Sequence, residues 1–217
     1  AFGNRCAIHC SDLFDLDPAS LGQFDLIYLL GVYLVVPPAV QRRLIDVLSA
    51  CLKPGGIAVI SYYAGGVWRL MDSMRQAVQA AVDRRTPSSE QLKAARRCVQ
   101  DLAQASKNPA LTSLVEHSLK GDEATFFHEM MGPVLAEVRA ADLEAALAPA
   151  GIHFLNWLEP GPFSSVYDPA ARAAGADRVT QGGYHYGVFG RYDPAKAADW
   201  ANLSWITGLK QAGATGY

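Results

Sequence analysis

From residue 24 to residue 63 the apolar positions change period twice, and that change defines the clearest unit of the chain. Phe24 to Leu30 is almost continuously apolar after Asp25, the pattern of a parallel strand covered on both faces. Val40, Leu44, Val47, Leu48 and Cys51 then recur at three- and four-residue steps, with Gln41, Arg42, Arg43 and Asp46 between them. This spacing predicts a helix between Pro37 and Leu52 with one stripe facing a sheet. Pro54-Gly55-Gly56 stops that helix, and β-branched sequence returns from Ile57 to Tyr62. Strand, helix and strand in this order form a βαβ unit, whose crossover is right-handed in nearly all proteins.

Around this unit the remaining elements follow in order. Asn4 to His9 predicts a strand, with Cys6 and Cys10 on one buried face, and Asp12 stands directly after it. Helical periodicity covers Val67 to Ala81, Ser88 to Ala105, Leu111 to Leu119 and Ala124 to Met131. That block is too long for a simple connection between neighbouring strands, so it reads as an inserted lobe beside the active face. Val138 to Ala148 predicts a helix stopped by Gly151, and Ile152 to Leu158 a strand. Glu159 to Gly183 reads as mostly loop, and Tyr184 to Tyr192 as a final antiparallel strand. A tail helix begins at Ala195 and carries Trp200, Leu203 and Ile206. The expected division is a partial core over 1–66, the lobe over 67–137, a return to the sheet over 138–192 and the tail over 193–217.

Composition adds exclusions. A chain of 217 residues, half of them hydrophobic, can bury one substantial core. Its apolar runs are far shorter than the roughly 20 residues of a membrane span, so no membrane partner is expected and a cytoplasmic location is. A net charge of −2 gives no electrostatic reason to expect nucleic acid. The four cysteines form no CxxC pair, and HSLKGDE, with His117 and Glu123, has no metal-ligand spacing. Reduced thiols and no metal site are therefore expected.

The ordered pieces IHCSDL, FDLIYLLGVY, a helix, LKPGG, IAVISYY and a closing pair of strands resemble the second half of a class I S-adenosylmethionine-dependent methyltransferase. GVYLVVPPAVQ, SYYAGGVW and FFHEMMGPV, followed by a helix and AGIHFL, are similar to the bacterial group that carries a methyltransferase regulatory domain. Some of that group are protein-lysine methyltransferases. The chain departs from the pattern at Leu34 and Val35, where a polar residue and Trp are usual, and at Tyr63, where Asn is usual. The fold implied is α/β, a Rossmann-like methyltransferase sheet lacking its first strands, with an inserted helical lobe and strand order 3-2-1-4-5-7-6. The glycine loop that follows the first strand in that family is absent, so the chain reads as an N-terminally truncated fragment. Alone, it is expected to be inactive and to bind S-adenosylmethionine weakly or not at all.

The resemblance implies S-adenosylmethionine as cofactor and a small-molecule or protein methyl acceptor, with a protein lysine amine as one option. It implies that Asp12 meets the adenine amino group, that the Leu13 backbone meets the ring, and that Leu30 and Gly31 line the methionine side. A carboxylate after a strand also caps a following helix, which is an equal account of Asp12. Tyr33, Tyr63 and His128 are the candidates near the transferred methyl. Tyr62 and Trp68 suit packing better, and His128, beside Glu129, suits a structural hydrogen bond as well as a base. The rival functions are a non-catalytic binding module acting through the lobe and a nicotinamide-dependent oxidoreductase, for which no hydride-chemistry motif is found.

Overall fold

The structure is a computed structural model and describes residues 6–158, 168–179 and 183–193. Four strands form one sheet: β1 (Phe24–Leu29), β2 (Leu52–Ala64), β3 (Ile152–Trp157) and β4 (Gly183–Arg191), in the spatial order β1-β2-β4-β3. β1 and β2 are parallel, and β4 runs antiparallel to both β2 and β3. This is the 4-5-7-6 half of the order that the methyltransferase resemblance implies. The carboxyl ends of β1, β2 and β3 and the start of β4 therefore share one edge.

A short helix, α1 (Pro18–Leu21), precedes β1. The helix between β1 and β2, α2 (Pro38–Cys51), buries Leu48 and Cys51 of the predicted stripe together with Ile45, which the stripe did not include, while Val40, Leu44 and Val47 are half-buried. Strand character begins earlier than expected. Leu52 already pairs with Phe24, residues 53–56 bulge outward, and pairing resumes at Leu26 and Ile57. Pro54-Gly55-Gly56 thus forms a bulge inside β2 and does not precede it, and Lys53 crosses it to bind Asp25 at 2.9 Å.

On one face of the sheet Ala58, Ile60, Tyr62 and Ala64 pack with Leu34, Leu48, Leu143, Leu147, Phe154 and Phe189. Two further helices belong to this layer, α7 (Ala140–Leu147) and α8 (Pro169–Val179). The Asp177 carboxylate in α8 accepts from Ala140 N at 2.7 Å and Ala141 N at 2.9 Å, capping α7 from a neighbouring element. Burial raises the pKa of Asp177 despite these bonds. Position 168–179 was expected to be loop. Asp168 binds Ala170 N at 3.0 Å ahead of Pro169, so a cap and a first-turn proline start a helix there.

The opposite face is different. Leu26, Tyr28 and Leu30 in and after β1, and Tyr184 and Tyr186 in β4, are exposed, Tyr28 by 59%. Four helices form a second core of their own: α3 (Gly66–Ala81), α4 (Ser88–Ala105), α5 (Pro109–Lys120) and α6 (Glu123–Met131). Trp68, Met71, Met74, Val78, Phe126 and Met130 are among its buried members. Tyr63 and Leu135 pack against both cores.

Two expectations fail at the N-terminal side. Residues 6–10 form no strand and are exposed, with Ile8 at 91%, so Cys6 and Cys10 share no buried face. The segment makes no ladder hydrogen bonds, and period-2 alternation without a partner strand does not hold an extended chain in a sheet. The expected loop residues 159–167 and 180–182, the tail after residue 193, and residues 1–5 lie outside the described residues.

The asymmetry between the faces sets a test. Ile60→Ala should cost about 2–5 kcal/mol by opening a cavity in the covered layer. Tyr28→Ala should stay within about 0.5 kcal/mol, as for an exposed position. Urea unfolding of the two variants measures the difference.

Candidate functional site at the carboxyl edge of the sheet

β1 ends at Leu29, and Leu30 leads into Gly31, whose φ of +69° is a conformation that side chains with a Cβ rarely adopt. The Gly31 amide donates to Ser61 Oγ on β2 at 2.7 Å. Ser61 is fully buried and its Oγ lies 2.6 Å from the Tyr184 hydroxyl on β4. A Cβ at Gly31 would stand 3.8 Å from that same hydroxyl. Thus one short hydrogen-bonded chain crosses from β1 through β2 to β4, beside a main-chain turn with no side chain.

Two residues further along β2, on the same face as Ser61, the Tyr63 ring meets the Tyr184 ring edge-on at 5.0 Å between centroids and Trp68 at 6.1 Å. Tyr184 meets Tyr186 edge-on at 5.3 Å. The Tyr63 hydroxyl donates to Glu129 Oε1 at 3.2 Å. Glu129 is held by its own helix end: Arg75 of α3, itself buried, donates to the Glu129 carbonyl and to the Gly132 carbonyl at 2.9 Å. Arg84 donates to the Met131 carbonyl at 3.2 Å. Two guanidinium groups thereby satisfy the last carbonyls of α6, where the helix dipole favours positive charge. Burial, followed by the neighbouring Glu129 carboxylate, pushes the Tyr63 phenol far above the usual tyrosine range.

On the covered face of the same edge, the Trp157 indole stacks on His185 at 4.7 Å and donates to the Tyr62 hydroxyl at 3.0 Å. Gly187 makes room for this packing: a Cβ there would come within 2.9 Å of the Tyr62 ring. Burial lowers the His185 pKa and favours its neutral ring. Burial also raises that of Tyr62, against the opposing effect of the Trp157 bond.

The structure disposes the predicted site residues unequally. Leu30, Gly31 and Tyr63 lie at the shared edge. Tyr33 stands in a 3-10 turn, Tyr33–Val35, just after it; its carbonyl accepts from Gln41 Nε2 at 2.9 Å. Burial, with a smaller contribution from Asp142, raises its phenol pKa. Asp12 is exposed, and its Oδ1 accepts from Phe14 N at 2.8 Å in a local turn. The Leu13 carbonyl accepts from Arg43 Nε at 3.1 Å, and the same guanidinium binds the Leu16 carbonyl. Leu13 is therefore fastened to α2, while Asp12 is bonded within its own turn. His128 is exposed, while its neighbour Glu129 reaches Tyr63.

Ser61, Tyr184 and Glu129 are the site residues that sequence reasoning did not single out. A His-carboxylate pair made by the fold, and not by sequence neighbours, lies away from this site. His153 Nδ1 lies 2.8 Å from buried Glu144 Oε1 at the opposite edge of the sheet.

The fold is mixed α/β and methyltransferase-like. Two solved structures of PKMT2 from Rickettsia typhi share it. One aligns with 82% of this chain and 37% of its own at a TM-score of 0.63 and 22% identity. The other, in complex with AdoHcy, aligns with 82% and 38% at a TM-score of 0.66 and 20% identity. The chain thus spans little more than a third of those proteins. A 64-residue stretch is 41% identical to an uncharacterized protein, RP028, of Rickettsia prowazekii, covering 30% of this chain and 25% of that one. No family model matches the chain. Among the described residues, no helix is long and apolar enough to cross a membrane, and no cluster of potential metal ligands occurs.

Two outcomes follow from this geometry. Ser61→Ala removes the partner of the Gly31 amide and the Tyr184 hydroxyl together, and should cost about 1–3 kcal/mol in urea unfolding. Tyr62 and Tyr63 keep their protons in the folded state at pH values where an unfolded chain has released them. Stability should therefore fall as pH rises above the ordinary tyrosine range, about 10. Unfolding measured across that range should show a shallower fall for Tyr63→Phe.

Proposed function

We propose that the edge from Gly31 to Tyr63 is the acceptor-side half of a site for methyl transfer from S-adenosylmethionine to an amine of protein lysine type. The observation that carries this is the bare turn at Gly31, opening beside Ser61, Tyr184 and Tyr63 at the carboxyl edge of the sheet. Open α/β folds bind ligands at such edges. Support comes from the fold shared with PKMT2, a protein-lysine methyltransferase solved with AdoHcy.

The residues present fit the cofactor on the methionine side. Leu30 is exposed, and Gly31 presents main chain without a Cβ, so a flat, close approach is open. On the adenine side Asp12 keeps one carboxylate oxygen beyond the one engaged by Phe14 N, and Leu13 offers backbone. When bound, S-adenosylmethionine supplies an electrophilic methyl group on a sulfonium.

A neutral lysine Nζ forms the new N–C bond as the S–C bond breaks; the electron pair stays on sulfur, and the surplus ammonium proton passes to water. Positioning and exclusion of water are what the protein contributes to such an in-line displacement. Tyr63 and Tyr33 orient the amine, with the Tyr63 hydroxyl held by Glu129. His128, exposed on α6, has no part in this arrangement.

Beyond Gly31 the face of β1 is open, so one wall of the cofactor recess is missing in this chain, and binding to the 217-residue polypeptide is weak. Titration with AdoHcy, followed by amide NMR, should shift Leu29 to Gly31 and Ser61 with a dissociation constant near millimolar, about −4 kcal/mol. Gly31→Val should abolish those shifts. Shifts confined to other residues, or none at several times the expected constant, would overturn the assignment; micromolar binding would overturn the weak-binding half of it.

A further inference from the structure

We infer that Tyr63, Tyr184 and Tyr186, with the Glu129 carboxylate, form a recognition site for an alkylammonium head group, so that the acceptor is held as a cation, methylated or not. This rests on the functional reading above and names the acceptor class of that same edge. Three aromatic rings meet there at right-angled contacts. Tyr63 packs against Tyr184 with 69° between planes, and Tyr184 against Tyr186 with 84°. Rings that meet edge to face leave a corner in which two electron-rich faces point in different directions, and such corners attract cations.

Exposure supports the assignment. Tyr184 and Tyr186 are 37% and 39% exposed at the start of β4, where the strand is paired with β2 and its ladder with β3 has not yet begun. Both rings are therefore open to a ligand approaching the carboxyl edge. Trp68, 6% exposed, supports Tyr63 from behind and belongs to the helical core.

Charge points the same way. Glu129 is half-buried and aimed at the Tyr63 hydroxyl, and its carboxylate has no cationic side chain among its described hydrogen-bond partners. The Arg75 guanidinium donates to the Glu129 and Gly132 carbonyls, so it interacts with the carboxylate only through space and makes no hydrogen bond to it. The Glu129 carboxylate, bonded to the Tyr63 hydroxyl, places a negative charge beside the aromatic corner, which complements an ammonium. Neutral aliphatic or anionic acceptors gain nothing from it.

The site also has a consequence for the reaction. Cation–π attraction holds an amine in its ammonium form, the wrong form for attack, so the corner captures the substrate and retains the methylated product. On leaving the corner for the bare turn at Gly31, the ammonium gives its proton to water, and the free amine is then the attacking species.

Choline and its uncharged carbon isostere, 3,3-dimethylbutan-1-ol, separate the charge from the shape. With the 217-residue chain, choline should shift the ring signals of Tyr63, Tyr184 and Tyr186 and bind at least tenfold more tightly than the alcohol. Tyr186→Phe should retain that preference, while Tyr186→Ala and Glu129→Gln should each reduce it about tenfold. Circular dichroism of the variants confirms the fold. Equal binding of choline and the alcohol, or an unchanged preference in folded Tyr186→Ala and Glu129→Gln, overturns the ammonium site. If choline binds as described but AdoHcy leaves Leu29 to Gly31 unshifted, the ammonium site stands and the methyl-transfer reading falls.

Discussion

Pairing on both sides of β2 is the constraint on which the rest of the structure depends. β2 runs parallel to β1 and antiparallel to β4, and it is the longest strand, with Leu52, Ala58, Ile60 and Tyr62 buried. Because side chains alternate along a strand, its even positions build the covered core and its odd positions carry the edge chemistry. A one-residue slip of β4 against β2 would bring Tyr184 to the wrong face and leave buried Ser61 with the Gly31 amide as a partner but without the Tyr184 hydroxyl. Register and site are therefore specified by the same pairing.

The helical block is joined to the sheet at few places, and these are where the candidate chemistry lies. Tyr63 packs against both cores and reaches Glu129, and the Val138 amide donates to the Tyr63 carbonyl at 3.0 Å. Nearby, the Ala136 amide donates to the Leu34 carbonyl at 2.9 Å. A ring that is a packing element for two cores has little freedom to rotate, which is a form of pre-organisation. Arg75 and Arg84 extend this by fixing the end of α6, so the height of Glu129 above the edge is set by α3 and the residues just after it.

Much of the fold was legible because it is written in period. The α2 stripe, the four lobe helices, the strand at Ile152 and the closing strand all follow from spacing, and the observed strand order agrees with the family resemblance. The failures have specific causes. Cys6 to Cys10 alternates like a strand, but alternation reports only that two faces differ, not that a neighbour exists to bond. At 168–179 the alanine-rich composition masked an Asp-Pro start signal that is visible in the sequence. His128 and Glu129 are adjacent on a helix and so point about 100° apart; adjacency in sequence cannot say which one faces the edge. Ser61 and Tyr184 were hidden because a polar residue inside a strand looks like ordinary alternation until its cross-strand partner is known. The joining of Ser61 to Tyr184 over 123 residues is a property of topology that no local window contains.

That same separation has a bearing on how the molecule comes into being. β1, α2 and β2 are close in sequence, and the helices of the second core follow directly, so both can organise early on local contacts. β4 lies between β2 and β3, and its pairing with β2 joins residues more than a hundred positions apart. The long closure it requires is among the slowest kinds of contact to form. On a growing chain emerging N-terminus first, the aromatic corner therefore forms later than the β1–α2–β2 unit. Until then β2 presents an unpaired edge, and Ser61 has the Gly31 amide as a partner but not Tyr184.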